Sequence, residues 1–515
     1  MNTKFWKQYL PEFKEKTTQF YNGSMSQSEY KSFSGFYGSY AQRGGQANML
    51  RLRMPAGRVT KERMAFTCKM LKEHNISRMH FTTCQTIQLH DLQPESVCRI
   101  MEEAIDAGII VIGGGGDYPR NVMCPPLSGV EENEYFDVMP CAEAAGDYLL
   151  RLIPEKKMPR KIKVGFSNSP MNLTHVTYRD LGFAATKEGT FDVYSAGGLG
   201  INPRFGVKVA DGIEPEMILY YIKAMWLTFL TYGNYESRVK ARTRYMQDAL
   251  GGPELYACAY QENLKEVLDS GEDLRIQPSK QIMSKKGNNT KISVPRMIKQ
   301  KQEGLYTVAW HPIGGMPNTD VFCALNDAVQ DMNEVEMRLS PDETAYFINL
   351  TADEAEKILT MTKDNSAQTV FETSVSCIGA SVCQIGARDS QALLNACIKA
   401  VKEADIPDKA LPQIHISGCP SSCGTHQTGI IGFRGGMKKV DGQPQPAFVL
   451  YVNGCEQQGK EVMGTEVGTI QADRIPEFLV KLGNTVAESG LDFNTWNEKN
   501  KSAINEIALE YTKEC

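Results

Sequence analysis

One part of the chain answers another at half its length, and this recurrence constrains the fold more than any other feature. Phe191-Asp-Val-Tyr194-Ser-Ala-Gly197 is echoed 257 residues later by Phe448-Val-Leu-Tyr451-Val-Asn-Gly454. At the same offset of 257, Leu52-Arg-Met-Pro55-Ala-Gly57 is answered by Ala309-Trp-His-Pro312-Ile-Gly314; residues 79–92 return as 337–350 at an offset of 258. Three anchors in chain order, at nearly one offset close to half of 515 residues, indicate an internal duplication. Each half opens with the same pattern. Residues 50–54 read as a strand, 59–74 have helical apolar spacing, 87–92 alternate as a strand does, and 94–107 are again helical. Residues 305–310, 319–332 and 345–350 repeat it, so each half begins with a β-α-β half-domain, and the two can join in one sheet. The polar, Lys-rich stretch 269–302 reads as the linker between them.

Composition bounds the function class. Hydrophobic residues at 42% and charged ones at 23% fit compact domains rather than a disordered or collagen-like chain. With 56 Lys and Arg against 61 Asp and Glu, the net charge of -5 provides no overall field for a polyanion, so nucleic acid is not an expected partner. The N-terminal residues lack the apolar core of a secretory signal. The most apolar stretch, 217–232, is broken by Lys223 and too short to span a bilayer. A cytoplasmic location without membrane insertion is expected. In that compartment 14 Cys do not form a disulfide framework, and clustered ones are better read as metal ligands or redox groups.

Four cysteines are clustered. Cys377 and Cys383 form a C-x5-C pair, and Gly418-Cys419-Pro-Ser-Ser-Cys423-Gly424 contains a C-x3-C pair. The first gap is too long for a zinc knuckle, whereas four thiolates in two loops of small residues suit an iron–sulfur cubane. The alternative is a set of buried free thiols, the reading adopted for most of the others, such as Cys68, Cys98 and Cys397. The run Gly113 to Gly116 has neither dinucleotide nor Walker spacing and reads as a turn leading to Arg120.

These loops resemble those of the siroheme- and [4Fe-4S]-containing nitrite and sulfite reductases, and the likeness runs over almost the whole chain. Met49-Leu-Arg51-Leu-Arg53-Met-Pro55, Gln85-Thr-Ile-Gln88-Leu-His90, Pro119-Arg120-Asn121 and Pro159-Arg160-Lys161-Ile-Lys163 resemble family segments in family order. The resemblance implies an α/β (α+β) fold, internally duplicated. Two ferredoxin-like half-domains would form one sheet, with two larger α/β cofactor-binding domains around a pseudo-twofold axis. The expected divisions are 1–135, 136–285, 286–365 and 366–515. It implies siroheme and a [4Fe-4S] cluster as cofactors, with Cys377, Cys383, Cys419 and Cys423 as cluster ligands and Cys423 also bridging to siroheme.

Siroheme is rich in carboxylates and the substrate is an anion, so a partly buried site needs fixed cations. Arg51, Arg120, Lys161 and Lys163 match the family's substrate-facing cations, while Arg53, Gln85, Gln88, His90 and Arg160 are expected to contact siroheme. At an offset of 257, Arg120 falls opposite Cys377, and Lys161-Ile-Lys163 opposite Gly418-Cys419-Pro420. Family members commonly carry Arg directly before the first Gln of Gln-Thr-x-Gln. Here Cys84 stands instead, and Arg78 or His90 is the candidate replacement. His415 and His426 read as structural.

The implied reaction is six-electron reduction of a small oxyanion, with electrons from ferredoxin or a similar small acidic carrier. No flavin or nicotinamide fingerprint is present. A docking patch of Lys285, Lys286, Lys291, Lys299 and Lys301 competes with a merely solvated linker. Two lysines spaced as Lys161 and Lys163 favour the dianion sulfite over nitrite, and Lys163→Asn is expected to shift the preference toward nitrite. A non-enzymatic Fe–S carrier or sensor is the alternative; it would not require converging cations.

Overall fold

A computed structural model describes residues 3–278, 283–287 and 293–513. It resolves into two units. The first comprises the described residues up to Gly198 with Pro203–Trp310 and Pro317–Asp364; the second comprises Leu199–Asn202, His311–Met316 and the described residues from Asn365 on.

Within the first unit the half-domains share one apolar core. Strands Ser39–Ala41, Asn48–Leu52, Ile87–Leu92 and Met79–Phe81 lie in that order in an antiparallel sheet. Leu50, Leu52, Ile87 and Leu89 are fully buried on its inner face. Helix Pro94–Asp106 packs there through Val97, Ile100, Met101, Ala104 and Ile105, which recur at helical spacing. The second half-domain orders Met297–Lys299, Tyr306–Trp310, Ala345–Leu350 and Glu336–Leu339, and its last strand also pairs with Arg58–Val59 of the first half. The half-domains therefore form two sheets instead of the expected single one, stitched by that two-residue strand. Helix Lys61–Glu73 and its counterpart Thr319–Val329 are also joined, because Cys68 and Cys323 form a disulfide with Cα atoms 5.2 Å apart. This corrects the reading of Cys68 as a free core thiol; Cys397 is a buried free thiol.

The repeat is visible in backbone conformation. Gln85 and Glu343 both have positive φ (55° and 69°), as do Asp91 and Asn349 (58° and 64°), each pair at an offset of 258. Both turns close alike: Gln85 N–H donates to the Thr82 carbonyl, and Glu343 N–H to that of Ser340.

The remainder of the first unit is a sheet of Val164–Ser167, Leu181–Ala185, Phe191–Ser195 and Val207–Ile213, packed with helices Met139–Leu152, Ile218–Tyr232 and Pro253–Asp269. The apolar helix Ile218–Tyr232 belongs to this core, and no helix among the described residues is long and apolar enough to cross a membrane.

The second unit has a sheet of Val375–Ser376, Ile414–Ser417, Ile431–Val440, Gln443–Val452 and Thr465–Gln471, with helices Ser390–Glu403, Ile475–Glu488 and Ala503–Thr512. Here the local equivalences correct the constant offset. Val164 pairs in parallel with Leu181 as Ile414 does with Ile431, an offset of 250. Left-handed turns follow at Asn172 and Ser422 (both φ 53°) and at His175 and Thr425. The hairpin Ile431–Val440 with Gln443–Val452 has ten residues per arm against five in the first unit, which restores the offset to 257 by Ala196 and Asn453. Lys161-Ile162-Lys163 is thus the counterpart of residues 411–413, and Cys419 that of Ser169. Met123 bridges Gly165 as Val375 pairs with His415, so Arg120 corresponds to Glu372 and not to Cys377.

Candidate functional site

Two groups of side chains carry chemistry, one in each unit. In the first, Arg51 pairs across the ladder with Gln88, which also sits opposite His80. Directly opposed residues share a face, so these polar side chains lie on the side of the sheet away from Leu50 and Leu89. Arg51 donates to the Gly114 carbonyl (2.5 Å) and Arg120 to the same carbonyl (2.6 Å) and to that of Gly116 (2.7 Å). Arg53, buried beneath, donates to the carbonyls of Ile112 (3.3 Å) and Pro119 (3.2 Å).

The glycine run is what makes this possible. A Cβ on Gly114 would stand 2.7 Å from the Val111 carbonyl and one on Gly115 2.7 Å from the Tyr40 hydroxyl, so only bare backbone fits while its carbonyls face the guanidiniums. Burial, with neighbouring Arg120 and Arg51, brings Arg53 down to about 9; burial brings Arg120 down to about 10. Burial is the first cause in both, so each guanidinium carries its charge at a desolvation cost that a nearby anion would offset.

Arg120 N–H donates to the Ile162 carbonyl, which lays the segment 161–163 beside it. Ile162 is buried between half-buried Lys161 and Lys163, the alternation that puts both ammonium groups on one side. Lys163 Nζ is 3.1 Å from Cys84 Sγ. Arg179 is buried, donates to the Thr174 carbonyl, and acts electrostatically on the same thiol.

Other expected contacts are engaged elsewhere. Gln85 is fully buried; its amide donates to the carbonyls of Cys124 (2.7 Å) and Leu339 (2.5 Å) and accepts from Cys124 N–H, so it pins the turn. His90 is buried, both its ring nitrogens lack hydrogen-bond partners, and burial holds it neutral, well below the usual histidine range. Arg160 is ion-paired with Asp117 at 2.6 Å, and Arg238 completes that bridge. Of the two candidates to replace the expected Arg at position 84, Arg78 is paired with Asp91 at 3.4 Å and His90 is held neutral by burial. Gln88 faces His80 Nδ1 at 3.3 Å. Sequence reasoning missed Arg179, whose only signal is an Arg-Asp pair between two apolar strand-like runs, and it did not anticipate that Cys84 would meet Lys163.

In the second unit Cys377 directly follows strand Val375–Ser376, while Cys419 and Cys423 follow the adjacent strand Ile414–Ser417. Gly418 N–H donates to Cys377 Sγ (3.2 Å), the Ser390 hydroxyl lies 3.2 Å from the same sulfur, and Gln391 donates to the Cys377 carbonyl. Cys383 N–H closes on the Gly379 carbonyl (2.9 Å). A Cβ on Gly379 would meet Asp389 and Ser390 at 2.8 Å, and one on Gly424 would collide with the Ile416 carbonyl. Four soft sulfur donors in loops tightened by glycine, with backbone N–H directed at sulfur, fit an iron–sulfur cluster. Among the described residues no three His, Cys, Asp or Glu side chains enclose a position for a single metal ion.

The chain matches the family described as "Nitrite/Sulfite reductase ferredoxin-like half domain" over residues 40–107, and that described as "Nitrite and sulphite reductase 4Fe-4S domain" over 115–268. These spans hold the cation group; the four clustered thiols lie beyond them. An assimilatory ferredoxin-dependent nitrite reductase of Haloferax mediterranei is 22% identical over 494 residues, 90% of this chain and 84% of the relative. A sulfite reductase [ferredoxin] of Mycolicibacterium paratuberculosis is 23% identical over 73% of this chain and 68% of its own length. The sulfite reductase [NADPH] hemoprotein beta-component of Bacillus subtilis is 26% identical, covering 75% and 73%. The solved structure of the Mycobacterium tuberculosis NirA protein superposes with a TM-score of 0.75 at 19% identity over 92% of this chain and 91% of that one, which is likeness of fold.

Proposed function

We propose, from the premise that this chain belongs to the nitrite and sulfite reductase family, that it reduces sulfite by six electrons and takes nitrite as a slower substrate. One observation carries the reading. Arg51 and Arg120 converge on a single backbone carbonyl beside a segment that presents Lys161 and Lys163 together. Guanidiniums fixed by carbonyls keep their remaining N–H groups for an oxyanion, and their mutual repulsion is relieved when it binds. Arg51, Arg120, Lys161 and Lys163 concentrate positive charge in one group, which supports a dianion over a monoanion. Lys161 and Lys163 would supply protons to an oxygen that must leave as water. An electron carrier or sensor without a substrate would have no use for this cation group.

The family's cofactors are siroheme and a [4Fe-4S] cluster; when bound, they supply an iron that takes up the anion and a store that passes single electrons. Cys377, Cys383, Cys419 and Cys423 would hold the cluster, and Cys423 would share its sulfur with siroheme. Among relatives, the names divide between ferredoxin and NADPH as donor. The absence from the sequence of a flavin or nicotinamide fingerprint supports an external one-electron carrier such as ferredoxin.

Of the linker lysines, Lys285 is ion-paired to Glu354, Lys299 to Glu132 and Lys301 to Glu134, which favours the solvated-linker reading over a docking patch. Lys291 lies outside the described residues.

The test is a visible spectrum of the purified protein together with kcat/KM for both anions using a chemically reduced donor. Siroheme bands and a preference for sulfite are expected. A strong preference for nitrite would overturn the substrate, and a spectrum of a bare cluster would overturn the reductase itself.

A further inference from the structure

A side chain able to carry negative charge stands inside the cation group. Cys84 Sγ lies 3.1 Å from Lys163 Nζ, within the electrostatic reach of Arg179 and Lys161 and of Arg120. Its backbone is fixed. Cys84 N–H donates to Thr82 Oγ1 (3.3 Å), its carbonyl accepts from Asn121 (3.1 Å), and the next residue is locked by the buried Gln85 network. The other acid close by, Asp180, accepts from Arg242, Thr243 and the backbone N–H of Lys163, and leaves the ammonium to the sulfur. Burial alone would raise the thiol, but Lys163, Arg179 and Lys161 outweigh it and bring it down to about 6, which favours the thiolate beside the Lys163 ammonium.

We propose that Cys84 is a specificity-determining residue of the anion site: its thiolate neutralises Lys163, so the pair adds no net charge and the site admits a monoanion more readily than it would with the Lys163 charge uncompensated. The inference rests on the proposed reductase function. A positive charge near the ligand helps a dianion about twice as much as a monoanion, so removing one narrows the ratio between sulfite and nitrite. Lys163 is then a cation held in check, released only when the sulfur is removed or protonated.

A double-mutant cycle tests this, with the ratio of kcat/KM for sulfite and nitrite as its readout. Cys84→Ser frees the ammonium and is expected to raise the ratio about tenfold. Lys163→Asn in the parent removes the ammonium while the thiol, no longer held down by it, takes up a proton, so the net charge hardly changes and the ratio should move less than about threefold, in place of the shift toward nitrite expected from the sequence; in the Cys84→Ser background it should lower the ratio about tenfold. A full shift toward nitrite from Lys163→Asn alone, with Cys84→Ser silent, would overturn the proposal. A second readout needs no turnover: alkylation of Cys84 by iodoacetamide, followed by peptide mass spectrometry against pH. The midpoint is expected near 6 in the parent, rising by more than one unit in Lys163→Asn. A midpoint unmoved by that substitution overturns the pair whatever the substrate. An enzyme that shows the moved midpoint yet reduces neither anion refutes the proposed function, and the specificity role with it.

Discussion

Gln85 anchors the turn beside the cation group through its side-chain amide. Three hydrogen bonds to Cys124 and Leu339 hold the turn that carries Cys84, at a residue with a positive φ of 55°. Gln85→Ala would leave a buried N–H and two carbonyls unpaired. We expect it to cost about 2–4 kcal/mol in urea unfolding, well above a surface substitution.

His90 makes a second residue-scale prediction. Its folded pKa is depressed by burial, then by His80, Arg78 and Arg51, so the unfolded chain binds a proton that the folded chain refuses. Stability is therefore present above the ordinary histidine pKa of about 6.5 and falls as pH drops below it, by up to about 1.4 kcal/mol per pH unit. The urea midpoint measured from pH 7 to pH 5 should fall less steeply in His90→Asn than in the parent.

At the scale of elements, the recurring device is a strand, a loop with two left-handed turns, and a return strand packed against that loop. The return strand begins where a Cβ has no room: on Gly182 it would strike the Val176 carbonyl, and on the equivalent Gly432 the carbonyl of His426. In the first unit this loop precedes Arg179; in the second it bears Cys419 and Cys423. Gly432→Ala should force the loop outward, cost about 1–3 kcal/mol and reduce the iron and acid-labile sulfide retained on purification. Gly436→Ala, four residues along the same strand, meets nothing closer than 3.7 Å and should retain both. Equal loss from the two substitutions would mean that the loop is not set by this contact.

Over the whole molecule, duplication has produced two units of one local design with different chemistry, cations in the first and thiols in the second. A net charge of -5 does not preclude a local positive field: Arg51 and Arg120 are gathered by the glycine turn, and Arg53 by the carbonyls of Ile112 and Pro119 on either side of it. Electron supply is a property at this scale. With NADPH alone, the purified chain is expected to show no turnover, while reduced ferredoxin should support it at a rate that falls as salt rises. Rapid turnover with NADPH alone would contradict an external carrier.

What could be read directly from the chain was local or periodic. The C-x5-C and C-x3-C loops, the alternation of Lys161-Ile162-Lys163, the buried helix Ile218–Tyr232 and the repeat itself are all expressed within a few residues or at a fixed spacing, where backbone geometry leaves little freedom. The constant offset was misleading because it drifts to 250 where the cluster loops lie and returns to 257 through a longer hairpin; length changes in loops leave no mark on the anchors at either side.

Which charges remain available was decided only by the tertiary structure. Arg160 is taken by Asp117 and Arg238, His90 is sealed in neutral, and Lys163 is met by a thiol 79 residues away. Each outcome depends on which faces the sheets and loops bring together across long separations, and the local pattern that tells which way a side chain points does not name the distant partner it meets.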